Sequence, residues 1–358
     1  MDELPEPGVP EPPRSVVKIV LRIVLVVGAL IASGAVLFFA FDDLDAAEIG
    51  RALRSLDDAE VVALSTTWLV WIACQGLQTA SMVHDLPVRR GVVAYLGPAA
   101  VASLVPGPSD LPVRYRMLTS WGYSMGDATL AVAAGGVFNI GIKLVLPVVA
   151  AVGLLVSDTP VEGTLRTIVA VAMLIGLGLA AVAVVLASEE RTQWIGRFLD
   201  PIWRAALRRL RRPTGDDDLG TRLVESRARA LHTLRSRWPI ALWATFLTAL
   251  TRFGLLLLAV RATGLSDEAI SWPQVFVAYA LVEGLTVIPI TAGNAGVSEV
   301  ALVSLLTASA GSQSINEVTA AVILFRLLTW LLIIPVGLVA MAVWRRSITG
   351  AAHYGARR

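Results

Sequence analysis

The sequence predicts an all-α integral membrane protein with about six full transmembrane helices and two re-entrant broken-helix segments, arranged as an inverted-topology repeat. Three observations predict it. Of 358 residues, 56% are hydrophobic and only 16% charged, with a mean hydropathy of +0.70, a balance foreign to soluble domains. Two apolar regions are interrupted by Pro and Gly, at Leu104 to Arg114 and at Val287 to Glu299. The order span, span, broken segment, span then occurs twice along the chain.

Residues 1–15 are Pro-rich and acidic and read as a disordered tail. Arg14, Lys18 and Arg22 lead into a first span at about 19–41, so the N-terminus is expected in the cytoplasm. That run has no clear small-residue cleavage site and is expected to be retained. The next loop carries Asp42, Asp43, Asp45, Glu48, Asp57, Asp58 and Glu60 and reads as external. A second span, about 61–83, returns to Arg89 and Arg90 inside.

The apolar run 92–105 is 14 residues, roughly 21 Å of helix, too short for a hydrocarbon core of about 30 Å. Pro106, Gly107, Pro108 and Pro112 then break it, and Arg114 and Arg116 follow. A segment that enters from the cytoplasm and returns there satisfies both length and charge. The third span, about 128–156, is long and holds Asn139, Lys143 and Pro147. It closes a first membrane repeat, 16–156. The second repeat, 157–346, begins with a span at about 165–187.

Residues 188–237 contain 12 Arg and are expected in the cytoplasm. Trp194, Phe198, Ile202 and Leu210 recur at helical steps between arginines, the pattern of a basic amphipathic helix on a membrane surface. A fifth span, about 239–260, exits. Residues 272–288 enter, break at Pro289 to Gly296, and return along 297–310. The sixth span, about 318–344, ends at Arg345 and Arg346, which leaves 347–358 as a cytoplasmic tail. Such a chain belongs in the cytoplasmic (plasma) membrane with both termini inside.

The breaks at Pro106, Gly107, Pro289, Gly293 and Gly296 free backbone groups that hydrocarbon does not satisfy. Paired broken helices in inverted repeats are a transporter signature, with the substrate site at the repeat interface. Lys143, Arg252 and Arg326 fall well inside spans, where each charge costs roughly 2.5–3.5 kcal/mol on insertion scales. Two readings stand side by side. The cations hold a lipid phosphate, or Glu283 and Glu299 neutralise them as structural pairs. Arg114 is a candidate for recruiting head groups; Arg116 reads better as an interfacial anchor. Glu299 either couples protons or caps the helix it begins. Gln75, Gln78 and Asn139 either line a pathway or bond between helices.

The motif Ile288-Pro289 to Gly293, Gly296-Val297-Ser298-Glu299 and Phe325-Arg326-Leu327-Leu328 resembles the transmembrane domain of lysylphosphatidylglycerol synthases. Leu104-Val105-Pro106-Gly107 to Arg114, followed by Met117-Leu118, is similar to the first-half motif of that family. The domain is shared with stand-alone flippase-like proteins, and the resemblance covers about residues 20–345. It departs at Gly293-Asn294-Ala295-Gly296, where the family usually has adjacent glycines, and at Ser103, where an Asn is common. The chain ends just past its last span, so no aminoacyl-transferase domain is expected. The resemblance implies lipid translocation and carries over to Pro106, Gly107, Arg114, Pro289, Gly293, Gly296, Glu299 and Arg326. With the intramembrane charges and the second break added, the candidate substrate residues are Arg114, Lys143, Arg252, Asn294, Glu299 and Arg326.

No nucleophile–base pair, phosphate loop, metal motif or nucleic-acid module stands out, and no cofactor is expected. The expected partners are the bilayer, a lipid with an anionic head group and, for one reading, a soluble transferase. Three functions are compatible with the sequence: a flippase for a phospholipid or polyprenyl-phosphate-linked intermediate, a non-catalytic subunit of a lipid-modifying or glycosyl-transferring enzyme, and a structural partner whose basic loop docks another protein. The lone Cys74 sits in an apolar span and excludes an intrachain disulfide.

Overall fold

The computed structural model describes residues 56–105, 108–156, 237–287 and 291–355. All regular structure among them is helical. The expected spans at 19–41 and 165–187, the basic amphipathic segment up to residue 236, and Pro106, Gly107 and Pro289 lie outside the described residues.

Helix α1 (Asp58–Ser81) starts at a capping box: Glu60 N–H donates to Asp57 Oδ1 at 2.7 Å, and Asp57 N–H to Glu60 Oε2 at 3.0 Å. Pro87 supplies an extended N-cap for α2 (Val88–Leu104). That helix begins four residues before the expected apolar run, because a helix starts where its backbone allows rather than where hydropathy does. Its 17 residues span about 26 Å. After the first break come α3 (Asp110–Ser120) and the 32-residue α4 (Met125–Val156).

Helix α5 (Trp238–Ala262) and α6 (Trp272–Leu285) follow, the latter opened by Ser271, Gln274 and a Pro in its first turn. A short 3₁₀ turn, Ala292–Asn294, leads to α7 (Val297–Ala310). Helix α8 (Ile315–Arg326) passes through a π turn, Leu327–Leu331, into α9 (Ile333–Gly355). The expected sixth span is therefore not one regular helix. It changes register immediately after Arg326. Leu332 N–H reaches back to Leu327 O at 2.8 Å, and the Trp68 indole donates to Leu328 O at 2.8 Å.

By length and hydropathy, four runs among the described residues are able to cross a bilayer: Asp58–Ser81, Met125–Gly153, Trp238–Ala262 and Ser312–Ile348. Val137, Val149, Trp243, Leu250 and Val339 point outward from them, the arrangement expected when lipid rather than water is the solvent. Inside, Trp71, Leu255, Val275, Leu302, Val318 and Ile333 form one core. Lipid tails are as apolar as these side chains, so close packing rather than water exclusion holds the helices together. At the α2–α9 crossing a Cβ on Gly337 would lie 2.3 Å from Leu96 O, so only glycine permits that approach.

Helix α1 runs antiparallel to α5. Thr67 faces Gly254, Gln78 Nε2 donates to Thr245 Oγ1 at 2.7 Å, and Arg237 donates to Val83 O at 3.2 Å. Helix α4 packs on α6 from the other half of the chain, and α9 packs on α2. Arg90 lies 5.6 Å from the Trp121 ring, and Trp344 Nε1 donates to Ser120 Oγ at 2.9 Å. These contacts bring Arg89, Arg90, Arg116, Arg237, Arg345 and Arg346 to one end of the bundle. Asp57, Asp58, Glu60, Asp267 and Glu268 gather at the other.

Candidate functional site

Helices α1, α3 and α4 diverge around a cavity of about 300 Å³ that reaches Tyr95 on α2 and Arg252 on α5. Gly135 and Gly136 keep the α4 wall low, and nothing lies within 4 Å of a Cβ built on Gly136. The lining is polar for a membrane protein interior. It includes Gln75, Gln78 and Asn139, and three cations: Arg114, Lys143 and Arg252.

Arg114 sits in α3, one turn after Asp110, with 3.6 Å between guanidinium and carboxylate. Arg116 is exposed instead, since two residues along a helix point to nearly opposite faces. At the inner end, Lys143 Nζ donates to Thr286 Oγ1 at 2.8 Å and Thr286 O at 3.3 Å, and lies 3.8 Å from Glu283. Thr286 caps the C-terminus of α6, where unpaired carbonyls favour a cation. Arg252 NH1 lies 3.0 Å from the same Glu283, with its guanidinium 5.9 Å from the Phe325 ring. One carboxylate therefore serves two cations. Nε of Arg114 and Nε of Arg252 are buried donors with no hydrogen-bond partner.

A second cluster forms at the second break. Glu299, 2% exposed, accepts from Gly296 N–H at 2.8 Å and from Arg326 Nε. Arg326 also donates to Gly293 O at 2.9 Å and lies 5.2 Å from the Trp330 ring. Gly293 has φ +58°, and a Cβ there would meet the Trp330 indole at 2.2 Å. Asn294, also at positive φ (55°), has Nδ2 3.5 Å from Thr286 O. Thr286 thus touches Lys143 from one cluster and Asn294 from the other.

The six candidate residues fall into two groups. Arg114, Lys143 and Arg252 share the cavity, whereas Glu299, Arg326 and Asn294 organise the second break. Glu283 and Glu299 do form the ion pairs that the structural reading requires. Asp110, Tyr95 and Thr286 join the site in addition to the residues expected from sequence. Asp110 carries a legible signal, an acid four residues before Arg114, but Thr286 carries none.

The sequence model of the family described as Lysylphosphatidylglycerol synthase TM region matches residues 19–337. No curated protein sequence matches the chain. With its apolar helices and a match over most of its length, the chain is a multi-pass membrane protein belonging to the lysylphosphatidylglycerol synthase transmembrane-region family.

Proposed function

We propose that the protein translocates a lipid with an anionic head group across the cytoplasmic membrane, using the cavity between α1, α3 and α4 as the head-group site. The observation that carries this is the convergence of Arg114, Lys143 and Arg252 on one polar cavity. Two of these cations retain unpaired buried donors, and a phosphate oxygen is a natural acceptor for a guanidinium N–H. Intramembrane cations facing a cavity are functional by default.

An inverted repeat fits the helix pairings. Long helix, short helix, break, short helix, long helix occurs at α1–α4 and again at α5–α9. Exchanging the halves maps α2 on α9 to α6 on α4, and α3 on α4 to α7 on α8. The 292–294 turn at the second break also touches α2, the helix that leads to the first. The arginine-bearing end of the bundle is assigned to the cytoplasm by the positive-inside rule, and Met82, Val83 and Leu118 line the cavity on that side. In a Cys74→Ser background, His84→Cys and Glu268→Cys should label with impermeant thiol reagent from opposite sides of the membrane. Labelling from one side removes the orientation.

The direct test fills the cavity. Purified protein in vesicles should accelerate the leaflet exchange of a fluorescent anionic phospholipid over empty vesicles. Gly136→Trp occupies open space, so it should leave thermal stability unchanged and slow exchange at least about tenfold, equivalent to about 1.4 kcal/mol. Unchanged exchange in that variant overturns the assignment of the cavity. Selective lipid binding with no exchange in the unaltered protein instead favours an accessory subunit of a lipid-modifying enzyme.

A further inference from the structure

Resting on that reading of the cavity, we infer that its head-group selectivity runs against amine-bearing lipids and towards a singly charged phosphodiester carrying hydroxyls. The charge balance carries the argument. Among the described residues that line the cavity and its inner extension, Arg114, Lys143 and Arg252 face Asp110 and Glu283. Three cations against two carboxylates leave one positive charge.

Both carboxylates are committed. Asp110 lies 3.6 Å from Arg114, and Glu283 lies 3.8 Å from Lys143 and 3.0 Å from Arg252. A phosphodiester brings one negative charge and neutralises the excess. An ethanolamine or aminoacyl head group adds an ammonium, and that ammonium finds cations on the walls and, among the described residues that line the cavity, no carboxylate outside these ion pairs. Between walls of low-dielectric protein that repulsion is stronger than in bulk water.

The remaining polar wall suits hydroxyls. Gln78 gives its amide N–H to Thr245 at 2.7 Å, which leaves its amide oxygen to accept. Asn139 is exposed and offers both donor and acceptor. A glycerol or inositol head group matches these neutral partners without adding charge.

The test is competitive lipid binding by native mass spectrometry on the full chain. The mixture holds phosphatidylglycerol, phosphatidylinositol, phosphatidylethanolamine and lysylphosphatidylglycerol with matched acyl chains. The two polyol lipids should exceed the two amine-bearing lipids by about tenfold or more. Asn139→Asp adds a carboxylate at an exposed position and should shift the ratio towards the amine-bearing lipids by a similar factor. Gln78→Glu is the second variant of the same kind, in case the first does not fold.

Equal or stronger binding of the amine-bearing lipids overturns the inference, as does a ratio that neither folded carboxylate variant moves. A protein that selects phosphatidylglycerol but exchanges none between leaflets defeats the transport reading alone. One that exchanges lysylphosphatidylglycerol as fast as phosphatidylglycerol defeats the selectivity alone.

Discussion

Glu283→Gln is expected to be the most damaging substitution of a single charged residue in the cavity. Glu283 is 5% exposed and is the counterion of both Lys143 and Arg252. Glutamine keeps the shape but strands two cations at membrane depth. Breaking one buried pair by removing a partner costs about 3–5 kcal/mol, and here two pairs break together. Lys143→Met removes one cation and leaves Glu283 paired with Arg252, so it should cost distinctly less. Arg252→Met should fall between them, because Lys143 retains both Glu283 and the Thr286 oxygens. Thermal unfolding of the three purified variants checks the order. Equal losses for Glu283→Gln and Lys143→Met would show that the counterion is not shared. Lys143→Met should also weaken anionic-lipid binding in a protein that still folds.

Arg326→Gln should destabilise the second break to a similar degree, about 3–5 kcal/mol, but for a different reason. Arg326 is 7% exposed and joins three groups: the Glu299 carboxylate, the Gly293 carbonyl and the Trp330 ring. Its loss leaves Glu299 charged, buried and held only by the Gly296 amide. Arg326→Gln combined with Glu299→Gln removes both charges and should recover much of the loss. The double-mutant cycle should show a coupling of at least about 1 kcal/mol, within the 0.5–3 kcal/mol seen for contacting pairs. Arg326→Lys should rescue poorly. A single ammonium does not reproduce a planar fork that reaches a carboxylate and a carbonyl at once while stacking on an indole. Additive losses would refute the pairing.

The second break shows why glycine and asparagine sit where they do. Gly293 and Asn294 both take positive φ, Asn being among the side chains most tolerant of that region. The Pro and Gly pattern located this break from sequence alone, because local backbone sterics cause it. The register change after Arg326 was not legible. A π turn in an unbroken apolar run leaves no compositional trace, and here its carbonyl is satisfied by Trp68, 260 residues away in sequence.

Pairings of charge divide in the same way. Asp110 with Arg114, and Glu299 with the Gly296 amide, are spaced within one helical turn and follow from local geometry. Glu283 with Lys143 joins α6 to α4 and depends on how those helices pack across the two halves of the chain. Sequence named the participants but left open which acid serves which cation.

By itself, the sequence determined that this is a helical membrane protein, where its helices break and which buried charges need partners. Those properties follow from hydropathy, backbone sterics and the cost of charge in hydrocarbon, all of which act locally. Tertiary structure alone decided that Arg114, Lys143 and Arg252 share one cavity while Arg326, which meets Arg252 and Glu283 across a small pocket, pairs with Glu299. That division is set by the divergence of α1, α3 and α4 and by the packing of α6 against α4. Helix crossings of this kind depend on close fits such as Gly337 against Leu96, which join residues 241 apart in sequence.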